Sequence, residues 1–191
     1  PVGSTNTIIT AMYQEHGVTP SPKMAGLMAA AILSDTVMFK SPTCTKKDIA
    51  MAERLARIAR ISLKELGREL FSSASDGKSA EELLGTDYKE FHISGQTIGV
   101  GQITCVDSSK LVERRDEFIE AMEKVKQRSN CDLVILMITD VLLDGSHIFY
   151  VGSDDVMQEA FSAVPKDKHM FLPKVMSRKK QIIPMLTAMW G

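Results

Sequence analysis

A mixed α/β architecture, helical first and then a sheet with flanking helices, follows from two features of this 191-residue chain. Up to about residue 72, the apolar residues recur at helical spacing. Beyond about residue 78, short apolar runs suited to strands alternate with longer amphipathic stretches, as in layered α/β domains.

The elements can be taken in order. Residues 5–16 carry Ile8, Ile9 and Met12 at helical spacing, and Gly17 ends the pattern. Residues 24–39 are apolar on nearly all sides, which predicts a buried helix broken by Lys40-Ser41-Pro42. Thr45 is placed to cap a third helix, with Asp48 in its first turn and Ile49, Ala52, Leu55, Ala56 and Ala59 as its stripe. Ser62 and Glu65 form a capping-box pattern for a fourth helix that runs to about Phe71. Residues 72–78, small and polar, read as a linker.

Ser79 and Glu82 repeat the capping box ahead of a short helix. Residues 91–93 and 97–106 flank Ser94-Gly95-Gln96 and predict a hairpin. Residues 108–129 predict one long amphipathic helix, and the apolar run 133–139 a central strand. Asp144-Gly145 signals a hairpin before a strand at 148–151. A helix at 155–161, a strand at 169–172 and a last helix at 179–190 complete the pattern.

Hydrophobic residues make up 44% and charged residues 25%, with a formal net charge of −1, so nothing global argues for a nucleic-acid partner. No apolar run reaches the roughly 18 residues a membrane span needs, and no membrane partner is expected. Cys44, Cys105 and Cys131 show no CxxC spacing and no signal peptide is visible, so a cytoplasmic protein with reduced thiols is expected. The chain starts at Pro1 with helical pattern close behind, as in a piece of a longer protein.

Three features carry possible chemistry. Asp35 is a carboxylate in an apolar helix, where it needs either a solvated edge or a partner such as a metal ion. One carboxylate does not complete a metal site, and His16, His92, His147 and His169 are too scattered to help. Ser177-Arg178-Lys179-Lys180-Gln181 puts three cations at the start of a helix, the end the macrodipole makes unfavourable for them. Cations beside free backbone N–H groups suit a phosphate, although a solvated basic run has the same composition. Gly3-Ser4-Thr5, at the start of the first helix, is either an anion cradle or a simple N-cap. Lys89 is unremarkable by composition alone.

In order along the chain stand Pro-Val-Gly-Ser-Thr-Asn-Thr-Ile (1–8), Ala-Gly-Leu-Met (25–28), Ile-Leu-Ser-Asp-Thr (32–36), Phe-Lys-Ser-Pro-Thr-Cys-Thr (39–45), Asp-Tyr-Lys-Glu-Phe (87–91) and Ser-Arg-Lys-Lys-Gln (177–181). This ordered set resembles the manganese-dependent (family II) inorganic pyrophosphatases of the DHH phosphoesterase superfamily. The resemblance implies that residues 1–74 are the carboxy-terminal helical part of a DHH catalytic domain. It implies that residues 75–191 are a DHH-associated, substrate-binding domain with a mixed sheet.

By the same resemblance, Asp35 matches a metal-binding aspartate, and Lys89, Arg178 and Lys179 match the cations that bind pyrophosphate and phosphate. No residue here matches a catalytic role beyond these. The implied cofactor is Mn2+, with Mg2+ or Co2+ as substitutes. The implied reaction is hydrolysis of pyrophosphate to two phosphates by metal-activated water. The Asp-His-His motif is absent from these residues, so the amino-terminal DHH half is an expected partner, and the chain alone is expected to be inactive and not to retain the metal. The intact enzyme is implied to be a homodimer. A short-chain exopolyphosphatase of the same superfamily and a non-enzymatic anion-binding module remain as alternatives.

Overall fold

The computed structural model describes residues 1–72 and 75–190. The chain divides into two compact units, Pro1–Ala74 and Ser75–Gly191. Ser73 and Ala74, within the expected linker, lie outside the described residues.

The first unit has four helices among its described residues: α1 (Thr5–Glu15), α2 (Pro22–Asp35), α3 (Lys46–Ala59) and α4 (Leu63–Ser72). Ala25, Met28, Ala29 and Ile32 of α2 pack against Ala52 and Leu55 of α3, with Leu63 and Leu66 of α4 at the edge. The small side chains of α2 let the helices approach closely. Ser21 caps α2 and Pro22 opens it, a residue whose missing N–H costs nothing there.

The expected buried helix over 24–39 is shorter and less buried. α2 ends at Asp35, and Met24 and Leu27 are exposed at 46% and 61%. Thr36 hydroxyl donates to Ile32 O and closes the last turn. Val37, Met38 and Phe39 then adopt left-handed φ values of 49°, 50° and 67°. Such conformations cost non-glycine residues about 1–2 kcal/mol each. Met38 seats against Gly67 of α4, where a Cβ would approach its methyl to 2.5 Å.

The second unit is a five-stranded sheet in the order β1 (Tyr88–Ile93), β2 (Gln96–Cys105), β3 (Leu133–Asp140), β4 (Gly145–Val151) and β5 (His169–Pro173). The β2–β3 pair is parallel and the others are antiparallel. Ser94 and Gly95 take φ 49° and 83°, the left-handed pair that a two-residue hairpin needs. β3 is buried along its whole length, as its unbroken apolar run predicts.

One face of the sheet (Ile98, Val100, Ile135, Met137, Ile148, Tyr150) packs under α8 (Asp154–Phe161) and α9 (Ile183–Trp190). The other (Ile103, Val134, Leu136, Ile138, Phe149) packs under α5 (Ala80–Thr86), α6 (Ser109–Glu113) and α7 (Arg115–Arg128). Gly99 keeps that second face open for β1, since a Cβ there would collide with the Tyr88 hydroxyl. The single helix expected over 108–129 is instead two, broken at Arg114 (φ −86°, ψ 18°). The break falls in Glu113-Arg114-Arg115-Asp116-Glu117, where Arg114 pairs with Glu117 and Arg115 with Asp116, between Leu111 and Phe118, which both enter the core. Among the described residues no helix is long and apolar enough to cross a membrane.

On β4 and β5, His147 Nδ1 and His169 Nε2 lie 2.8 Å apart. Burial lowers the pKa of both; Asp140 opposes this at His147, while His147 and Arg115 add to it at His169. A depressed histidine pKa means that the unfolded chain binds more protons. The stabilisation is therefore complete above the unfolded value near 6.5 and declines as pH falls below it. The urea midpoint of the chain is expected to drop between pH 7.5 and 5.5, and more steeply than that of His169→Gln. Parallel curves for the two proteins would contradict this.

Candidate functional site

The first unit gathers its polar chemistry where α1 and α3 begin and α2 ends. Asp48, fully buried in the first turn of α3, accepts from Gly3 N, Ser4 N, Thr45 N and the hydroxyls of Thr7 and Thr45. Thr45 and Asp48 make the expected capping box. Gly3-Ser4 is both a cradle and a cap: its N–H groups hold the Asp48 carboxylate, and Ser4 Oγ accepts from Asn6 N at 3.2 Å. Gly3 allows this approach, because a Cβ there would lie 2.9 Å from Thr36 Cγ2.

Asp35 is the last residue of α2 and is exposed. Its solvated edge is thus the helix end, and Ser4 Oγ donates to its Oδ2 at 2.6 Å. The other oxygen, Oδ1, is able to accept a metal ion. Among the described residues no group of three or more His, Cys, Asp or Glu side chains is arranged to hold a metal. Asp35 fits one ligand position and does not complete a site, since hard divalent cations take about six oxygens or more.

In the second unit the basic cluster opens the terminal helix as a π-helical turn, Arg178–Ile182, continuous with α9. Wide turns of this kind recur at functional sites. Ser177 caps it by accepting from Lys180 N. Gln181 Oε1 accepts from Met176 N at 2.8 Å and Ser177 N at 3.0 Å, while its Nε2 donates to Lys174 O. Lys179 and Lys180 are exposed.

Arg178 is only 7% exposed. Its Nη1 donates to Asp87 O at 2.7 Å and Val100 O at 3.0 Å, and its Nη2 to Asp87 Oδ1 at 2.8 Å. Those bonds leave Nε–H and one Nη2–H of the fork uncommitted. Lys89 is directly opposite Val100 in the β1–β2 ladder. Alternation along β1 puts Lys89 on the same face as Phe91 and Ile93, which pack in the cluster beneath α9. Arg178 thus bonds the carbonyl of the residue that pairs with Lys89, and Lys179 follows Arg178 on the same turn. Asp35 belongs to the other unit.

Asp87 and Gln181 escaped the reading of the sequence. Both lay inside the quoted motifs, but only a fold could show a carboxylate 91 residues from Arg178 as its partner.

The DHHA2 domain pattern matches residues 68–189. A manganese-dependent inorganic pyrophosphatase of Methanothrix thermoacetophila is 43% identical over 191 residues, covering 97% of this chain and 61% of that protein. A cobalt-dependent inorganic pyrophosphatase of Clostridium perfringens is 39% identical over 190 residues, covering 98% of this chain and 35% of that protein. The chain thus spans less than two thirds of the length of these curated relatives. A solved structure from Methanococcus jannaschii, assigned to the family II inorganic pyrophosphatases, superposes with a TM-score of 0.83 at 35% identity. That match covers 100% of this chain and 66% of the other. From the mixed sheet, the basic turn ahead of its last helix and the match over residues 68–189, the chain belongs to the DHHA2 domain family.

Proposed function

We propose that this chain is the substrate-binding part of an inorganic pyrophosphatase, with Lys89, Arg178 and Lys179 as its pyrophosphate cations and Asp35 as one metal ligand. The observation that carries the reading is that Arg178 bonds the carbonyl of Val100, the residue paired with Lys89 across the β1–β2 ladder. The exposed amines of Lys89 and Lys179 are point charges free to follow phosphate oxygens. Arg178 is fixed, adds a buried positive charge, and offers its remaining N–H groups in a set direction. The relatives named for manganese and cobalt support these metals as the cofactor. The chemistry that such an ion supplies when bound is polarisation of a phosphoryl oxygen and activation of water near neutral pH. On this reading residues 1–74 are the helical tail of the catalytic domain and 75–191 the DHH-associated domain. The remaining metal ligands come from residues outside this chain.

Two assays test the proposal. Phosphate release from pyrophosphate with manganese present should be undetectable for the chain alone. Calorimetric titration should nevertheless show weak pyrophosphate binding that fades with added salt, because the site's charges are partly exposed. Lys89→Ala and Lys179→Ala are each expected to lower this affinity about ten-fold, the effect of one charge-assisted hydrogen bond. Lys180→Ala should change it little. Equal affinities for all four proteins would overturn the assignment, as would turnover in the ordinary enzymatic range of about 1–10³ s⁻¹.

A further inference from the structure

The sheet face beneath α9 is apolar as far as the end of the sheet where β3 finishes and β4 begins, and there it turns polar. Gln102 of β2, Thr139 of β3 and Ser146 of β4 stand side by side there, and Thr139 and Ser146 are fully buried. Thr139 is directly opposite Ser146 in the ladder, and Gln102 lies diagonally across from Thr139. Apolar residues would fill these positions without the desolvation cost of buried polar groups, so the three call for an explanation.

Their hydrogen bonds run in one direction. Gln102 Nε2 donates to Thr139 Oγ1 at 3.0 Å. Ser146 Oγ gives its proton to Val175 O at 2.6 Å, so in the 3.1 Å contact between the two hydroxyls Thr139 must be the donor. Each hydroxyl thus accepts from one neighbour and donates to the next, an arrangement in which the bonds polarise one another. Gln102 Nε2 also donates to Met176 O at 3.3 Å. The chain of bonds ends on the two carbonyls, Val175 and Met176, that precede Ser177-Arg178-Lys179. From the other side Gln181 holds Lys174 O, Met176 N and Ser177 N. Among the described residues no buried side-chain nitrogen or oxygen lacks a partner, so the network is complete.

We infer that Gln102, Thr139 and Ser146 are positioning residues: they fix the segment 174–177 on the sheet and so set where Arg178 and Lys179 present their charge to pyrophosphate. This rests on the proposed role of the basic turn. The lysine alone cannot set that position, because a flexible amine places its charge only as well as its backbone is placed. A fully bonded polar support, unlike an apolar contact, fixes a single register of the segment.

The test is pyrophosphate titration of the chain, without metal, using near-isosteric variants, with the melting temperature measured in parallel. Thr139→Val removes the hydroxyl in the middle of the relay and keeps the shape. It is expected to lower affinity about five-fold, the effect of losing one hydrogen bond's worth of placement. Thr139→Ser restores the hydroxyl and should stay within about two-fold of the parent, by the same measure. Gln102→Met, at a half-buried position that tolerates the change even where Thr139→Val disturbs folding, should show the same loss as Thr139→Val. If Thr139→Val and Gln102→Met melt lower but bind as the parent does, the network is merely structural and the inference is wrong. If Thr139→Ser fails to rescue, the hydroxyl relay is not the cause. Failure of the site itself looks different: Lys89→Ala and Lys179→Ala would then bind as the parent does, and the inference would fall with the site.

Discussion

Asp48→Ala should leave the helical unit largely unfolded. Five donors, Gly3 N, Ser4 N, Thr45 N and the hydroxyls of Thr7 and Thr45, would lose a buried charged acceptor at once. A loss of about 3 kcal/mol or more follows from what buried unpaired donors cost, against a net stability of about 5 kcal/mol or so for a small unit. Asp48→Asn, which keeps one acceptor oxygen, should fall between. The same bonds set a pH dependence. Burial alone would raise the Asp48 pKa, but the hydrogen bonds from Thr7, Gly3 and Thr45 outweigh it and hold the carboxyl well below the usual carboxylate range. A depressed carboxyl pKa contributes stability that is complete above the unfolded-state value, about 3.9, and is lost as pH falls from there through the folded value. Acid titration of helical circular dichroism checks this: the parent should lose helix signal below about pH 4, whereas Asp48→Asn should start lower and depend less on pH. An Asp48→Ala protein that melts within a degree of the parent would contradict the account.

Arg178→Ala should damage both fold and binding. It removes the bonds to the carbonyls of Asp87 and Val100, although Gln102 N still donates to Asp87 O, and leaves Asp87 without its ion-pair partner. The expected loss is about 2–4 kcal/mol in the second unit, from the charge-assisted hydrogen bonds that the guanidinium no longer makes. Asp87 adds less, because its side chain is about half exposed (48%) and is solvated when abandoned. Pyrophosphate affinity should fall by about two orders of magnitude, more than for either lysine, since both a charge and the placement of the turn are lost. Arg178→Lys should rescue little, because an ammonium cannot bridge two carbonyls and a carboxylate with one planar fork. Denaturant unfolding and calorimetry at low temperature separate the two effects. Full rescue by lysine would show that only charge matters here.

The reach of the sequence is uneven, and the reasons are physical. Thr45 with Asp48, Ser79 with Glu82, and Ser94-Gly95 were legible because a cap or a tight turn is settled by residues three or four apart. The central strand was legible because six apolar residues in a row, 133–138, have few other places to go. The break at Arg114 was not, since amphipathic spacing continues across it and only the folded chain shows the backbone leaving the helix there. The exposed Met24 and Leu27 were misjudged because apolar composition does not say which residues find a partner. Asp35 was singled out by its apolar setting, yet its contact with Ser4 spans 31 residues. Lys89 had no local signal at all. It entered through resemblance, and only the β1–β2 register brings it opposite the residue that Arg178 holds.

The central claim is that Lys89, Arg178 and Lys179 make one pyrophosphate site. It is tested most directly by following backbone amide signals of the isotopically labelled chain during pyrophosphate titration. The account predicts that the amides of Lys89 and of Ser177, Arg178, Lys179 and Lys180 shift together and saturate with a single dissociation constant that rises with salt. A cavity of about 380 Å³ between α5 and α7, lined by Tyr88, Lys124 and Arg128 together with Glu81 and Glu82, holds cations elsewhere on the same unit, with Lys124 paired to Glu81. Shifts centred on that cavity, with Lys89 and the basic turn unmoved, would contradict the account.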